Sequence, residues 1–160
     1  NVMALELDKR DFTYFNDKNM LSIREDELNN NINRYNAEVF LVDLNKAKKE
    51  SSCTDVLYLV EPSTLKLNKL MTINPRILNE LRDKKVVLNK SLLSEDDIAD
   101  FEVESGIKVF FNMPPVNDKK DNSKKLSKLL GMLGYVKVVS TDDEEEDEKK
   151  KSIFDLFRFK

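Results

Sequence analysis

Six short apolar runs recur along the chain, and each breaks off on polar residues. They are NVMALEL (1–7), EVFLVDL (38–44), DVLYLVE (55–61), KVVLN (85–89), KVFFNMPP (108–115) and YVKVV (135–139). Most are continuous rather than alternating, the pattern of strands covered on both faces. Helical patterns lie between them. Residues 24–35 place Leu28, Ile32 and Tyr35 at helical spacing. Residues 63–84 open on cap residues and are interrupted by Pro75, which predicts two helices or one kinked helix. Residues 94–106 begin with Ser94 as N-cap, carry acids in the first turn and end at Gly106. Residues 123–134 align Leu126, Leu129, Leu130 and Leu133 on one face before Gly134. Strands alternating with helices predict an α/β fold, a mostly parallel sheet flanked by helices. The expected division is an α/β domain over 1–140, a charged linker over 141–151 and an amphipathic tail over 152–160.

Composition narrows the chemistry. Cys53 is the only cysteine and there is no histidine. That rules out an internal disulfide and the commonest general base and zinc ligand, and fits a reducing cytosol. Eight of the 30 acids and five of the 27 bases lie in residues 142–160, leaving 22 of each in the body. A neutral body gives no bulk electrostatic support for nucleic-acid binding. No apolar run approaches the ~18–20 residues that cross a bilayer. The chain opens on Asn1 rather than methionine, which is read here as a trimmed start.

Ligands of parallel sheets sit at the carboxyl ends of the strands. Those ends carry Asp8 with Lys9 and Arg10, Asp43 with Asn45, Glu61 to Thr64, Asn89 with Lys90, and Asn112 with Pro114 and Pro115. Any strand running into a polar loop ends this way, so no single end is diagnostic. Their order carries more. VLYLVEPS, then KKVVLNKS, then IKVFFNMPPVND resembles the carboxyl-terminal half of the MinD/ParA family of deviant-Walker P-loop ATPases. AEVFLVDLN resembles that family's Walker B strand, and NVMALELDKRD its paired-aspartate strand after the P-loop helix.

The resemblance implies a P-loop NTPase-like fold and ATP with Mg2+ as cofactors. Asp43 would hold the magnesium ion through water, and Asp8 would orient a water near the γ-phosphate as the catalytic residue. Asn89 would read the purine edge, with Pro114, Pro115 and Val116 packed against the base. Leu92 stands where guanine-specific relatives place an aspartate, which favours adenine. The departures are equally specific. No G-x-x-x-x-G-K-[ST] occurs; in the family that loop would precede Asn1. Glu6 replaces the first paired aspartate, the span from Asp8 to Asp43 is short, and no glycine follows Asp43. An ATP hydrolase and a catalytically inactive relative both remain open.

The end of the chain, DDEEEDEKKKSIFDLFRFK, joins seven acids to a short aromatic segment. On a helical wheel Ile153, Phe154, Leu156 and Phe157 fall within about 160° of arc, with Phe159 off the stripe. Nine residues are too few to hold a helix in water unaided. The segment can dock on its own body, enter a partner's groove, or lie on a membrane with Lys149, Lys150 and Lys151 beside anionic headgroups. MinD-type proteins end in such a membrane-targeting helix, so the resemblance implies a cytoplasmic protein, peripheral at the inner membrane face. One tail gives roughly 4–6 kcal/mol net, weak and reversible attachment. Two tails linked in a homodimer would hold far better. The leading expectation is a positioning or assembly protein whose dimerisation follows adenine nucleotide and whose partners are proteins of the machine it positions. The alternative is a scaffold of the same fold whose tail docks on a protein.

Overall fold

The computed structural model describes residues 1–115 and 119–135. It divides into two compact units, Asn1–Thr54 and Asp55–Lys160. Both are α/β, and each is built on a small all-parallel sheet.

In the first unit, β1 (Val2–Leu7) lies between β2 (Met20–Ile23) and β3 (Val39–Asp43). Leu7 pairs with Ile23, and Glu6 pairs with both Ser22 and Asp43. The link from β1 to β2 holds only a 3-10 turn, Asp11–Tyr14. A second 3-10 turn, Glu25–Glu27, leads into α1 (Leu28–Arg34). Met3, Leu5 and Leu7 alternate onto one face and join Ile23 and Leu28 in a core. Ile32 and Tyr35 pack against that core, as their helical spacing predicts. Phe40 and Val42 of β3, and Leu44 just after it, extend that core. The opposite face is different: Leu41, in the middle of β3, is 56% exposed. Its run of apolar residues predicts cover on both sides, and this unit supplies it on one.

In the second unit, β5 (Lys85–Asn89) lies between β4 (Leu57–Val60) and β6 (Val109–Met113). Pro75 separates α2 (Thr64–Ile73) from α3 (Ile77–Leu81), and Asn74 bridges the break by accepting from the Arg76 N–H and donating to Glu80. α4 (Glu95–Ser105) starts with a Ser94–Asp97 capping box and stops at Gly106, whose φ of 69° is left-handed. α5 (Lys119–Met132) begins four residues before its apolar stripe predicts. Val86 and Leu88 face α3 and α4 with Val60, Leu81, Ile107, Ile98 and Phe101. Val87, Phe111 and Met113 face Leu129 of α5. β5 is therefore buried on both faces, as its run VVL requires. The β5–β6 ladder slips once: Val86 pairs with Val109 but Val87 with Phe111, leaving Phe110 as an extra residue. The segment 136–139, which completes the expected sixth strand, lies outside the described residues.

No helix among the described residues is long and apolar enough to cross a membrane.

Candidate functional site

The polar strand ends form one rim in each unit. In the first unit β1, β2 and β3 end together. Glu6 is almost wholly buried, and its Oε1 accepts from the Phe12 backbone N–H at 2.7 Å and from the Ser22 hydroxyl. Those bonds fasten the β1–β2 link and β2 to β1, so Glu6 is a structural carboxylate here. Asp8 follows β1 with φ 54°, a left-handed backbone that few non-glycine residues adopt. Its N–H donates to the Ile23 carbonyl at 3.0 Å, and its Oδ1 accepts from the Glu25 N–H at 3.2 Å. Asp8 thus caps the turn that starts α1 while lining an open cleft of about 700 Å³ with Lys9, Arg10, Tyr14 and Arg24.

Asp43 ends the neighbouring edge strand. Lys9, just past the end of β1, reaches to it: Nζ lies 2.7 Å from Oδ2. The other oxygen accepts from the Asn45 N–H at 2.9 Å, made possible by the left-handed Asn45 at φ 52°. The Lys9 hydrogen bond holds the Asp43 carboxyl below its ordinary range against the opposing effect of burial. The same bond raises the Lys9 ammonium. Magnesium prefers carboxylate and water oxygens with little competing positive charge. The ammonium is bonded to one Asp43 oxygen and the Asn45 N–H to the other, so both face protein donors. As arranged, Asp43 does not fit a magnesium ion. Asp8 and Asp43 lie at the carboxyl ends of the neighbouring strands β1 and β3; Lys9 bonds to Asp43, and Asp8 to the turn that follows β2.

In the second unit the rim gathers Asn89, Pro114 and Pro115. Asn89 pairs with Met113, directly before the two prolines, so all three sit at one end of neighbouring strands. Strand alternation puts Asn89 on the α5 face with Val87 and Met113. Lys90 leaves β5 with φ 54°, and the Ser91 N–H returns to the Met113 carbonyl at 3.0 Å, tying the exit of β5 to the end of β6. Val116, Lys149, Lys150, Lys151, Ile153, Phe154, Leu156, Phe157 and Phe159 lie outside the described residues.

Asn112 was not singled out from the sequence beyond its place at a strand end. Its Nδ2 donates to the Leu93 carbonyl at 3.5 Å, while its Oδ1 is buried without a hydrogen-bond partner among the described residues. The signal was an amide interrupting the apolar run VFFNM. Leu88 is its strand partner, so Asn112 faces the α4 side, opposite to Asn89. The two amides do not converge.

Comparisons with protein-family models, with curated proteins and with solved structures gave no match to this chain.

Proposed function

We propose that this chain is a MinD/ParA-like positioning or assembly protein of P-loop NTPase-like fold that associates reversibly with a membrane through residues 152–160. The observation that carries the reading is the order of its strand ends: Asp8 and Asp43 close the adjacent parallel strands β1 and β3, and Asn89 stands beside the end of β6, where Pro114 and Pro115 follow. Adenine nucleotide would meet the second rim, where the proline pair offers an apolar platform and the Asn89 amide both a donor and an acceptor. Dimerisation would double the number of tails and so lengthen membrane residence.

The Lys9–Asp43 ion pair and the hydrogen-bonded Glu6 favour a second form of this reading, a scaffold without hydrolysis. Asp43, to which the resemblance gives the metal, and Glu6, which stands in place of the first paired aspartate, are both engaged with the protein itself. Titration of a fluorescent adenine nucleotide, phosphate release and vesicle sedimentation separate the two. Nucleotide-dependent sedimentation with release of phosphate supports the enzyme. Sedimentation indifferent to nucleotide supports the scaffold. Sedimentation unchanged by removal of residues 152–160 defeats the role given to the tail.

A further inference from the structure

Among the described helices of the second unit, α2 alone has no buried residue. Five of its ten residues are nevertheless large and apolar. Leu67 packs on the core beneath. Leu65 and Ile73 point away from it and are 78% and 72% exposed. At about 100° per residue, Leu65, Lys69, Thr72 and Ile73 share one outward stripe, with Lys66 at its margin. The helix carries two lysines and no acid. Lys66 lies 3.8 Å from Glu61, but both side chains are well exposed and such a pair is weak. A helix apolar on two sides is normally covered on both. The character of the missing cover is set by the lysines. A second copy docking through the same stripe by two-fold symmetry would gather four lysines into one interface to which neither α2 brings an acid. The acid run 142–148 matches the lysines but brings no apolar side chain of its own. A bilayer with anionic headgroups supplies both halves.

We propose that the outward stripe of α2 is a second membrane contact: Lys66 and Lys69 meet anionic headgroups while Leu65 and Ile73 enter the boundary between headgroups and acyl chains. The inference rests on the membrane reading above and changes how that reading works. Two weak contacts on one chain reinforce each other through effective concentration, so a single copy can remain attached.

The chain has no tryptophan, so Leu65→Trp installs a sole reporter at an exposed position. It is studied in the full chain and in a chain ending at Lys151, with vesicles of phosphatidylcholine alone or with phosphatidylserine. The expected result is a blue shift and quenching by brominated acyl chains, in both lengths, with the anionic vesicles only. Leu65→Ser with Ile73→Ser lowers vesicle partitioning of the full chain about tenfold, with far-ultraviolet circular dichroism unchanged. Emission indifferent to vesicles in both lengths overturns the inference, and equal shifts with neutral vesicles overturn it too. A shift present without lipid assigns the stripe elsewhere: to the tail if it vanishes in a chain ending at residue 141, or to a second copy if it grows with protein concentration. If the reporter stays silent while removal of 152–160 abolishes sedimentation, the tail reading stands alone. If the reporter responds and that removal changes nothing, only the α2 contact stands.

Discussion

The sheets β2-β1-β3 and β4-β5-β6 each have three parallel strands, with the first strand of the unit at the centre in one and the second in the other, and they are covered differently. In the second unit α3 and α4 cover one face of β5 and α5 the other. In the first unit α1 covers one face of β1, and the reverse face buries Glu6 while leaving Leu41 in the open. A continuous apolar run therefore records that a strand can be buried twice, not that its own unit buries it twice. The first unit compensates with polar fastening. Two bonds to Glu6 secure its reverse face, and the Lys9–Asp43 bridge secures its rim.

The sharpest challenge to this contrast compares two leucines. Leu88→Ala, at a site with no exposed surface, should lower stability by about 2–5 kcal/mol, read from urea midpoints. Leu41→Ala should cost less than about 1 kcal/mol. Equal losses would break the comparison, because they would mean that β3 is as deeply packed as β5. Next comes Glu6→Ala, which leaves the part-buried Phe12 N–H and the Ser22 hydroxyl without their acceptor and should cost about 1–3 kcal/mol. A neutral result would remove the polar fastening from the first unit. Gly106→Ala sharpens the other side. The left-handed backbone disfavours any side chain, and the new Cβ would lie 3.1 Å from Arg82 Nε. The expected loss is about 1–2 kcal/mol, with α4 amides exchanging faster.

The smallest effect is on pH dependence. Asp43 has a lowered pKa when folded, so its contribution is fully present above its ordinary value of 3.8 and is lost as pH falls through the folded pKa. Lys9 is raised, so its contribution is present below 10.5 and is lost as pH rises through the folded value. Both side chains are partly exposed, so solvent screening keeps the effect small. Lys9→Gln should slightly flatten both limbs of the stability–pH curve. Curves that superimpose within error across both limbs would show that the bridge does not fasten the rim.

Much of this architecture was legible in the chain. β1, β3, β4, β5 and β6 lie within the apolar runs, the break at Pro75 falls between α2 and α3, and Ser94 and Gly106 bound α4. β2 escaped because four residues, MLSI, flanked by charged loops give neither a long run nor a clear alternation. The division into two sheets escaped because apolar runs specify burial, whereas neighbours are chosen by pairing across long sequence separations. The polar residues do follow the apolar runs, but they fall at the ends of two sheets rather than one, and their electrostatics were not legible. Lys9 lies 34 residues from Asp43, and only folding brings its ammonium to that carboxylate. Glu6 was read as a departure from a motif; its two donors give it a structural reason to be there.

Phe110 has a consequence for how this chain can vary in length. The supernumerary position precedes the pairs that fix the exit of β6, from Phe111 with Val87 to Met113 with Asn89. Deleting that single codon would regularise the ladder upstream while leaving the amide of Asn112 and both prolines in phase with their neighbours. Drift by one residue is thus absorbed at the entrance of the strand, and the rim can stay constant while the loop from α4 lengthens or shortens.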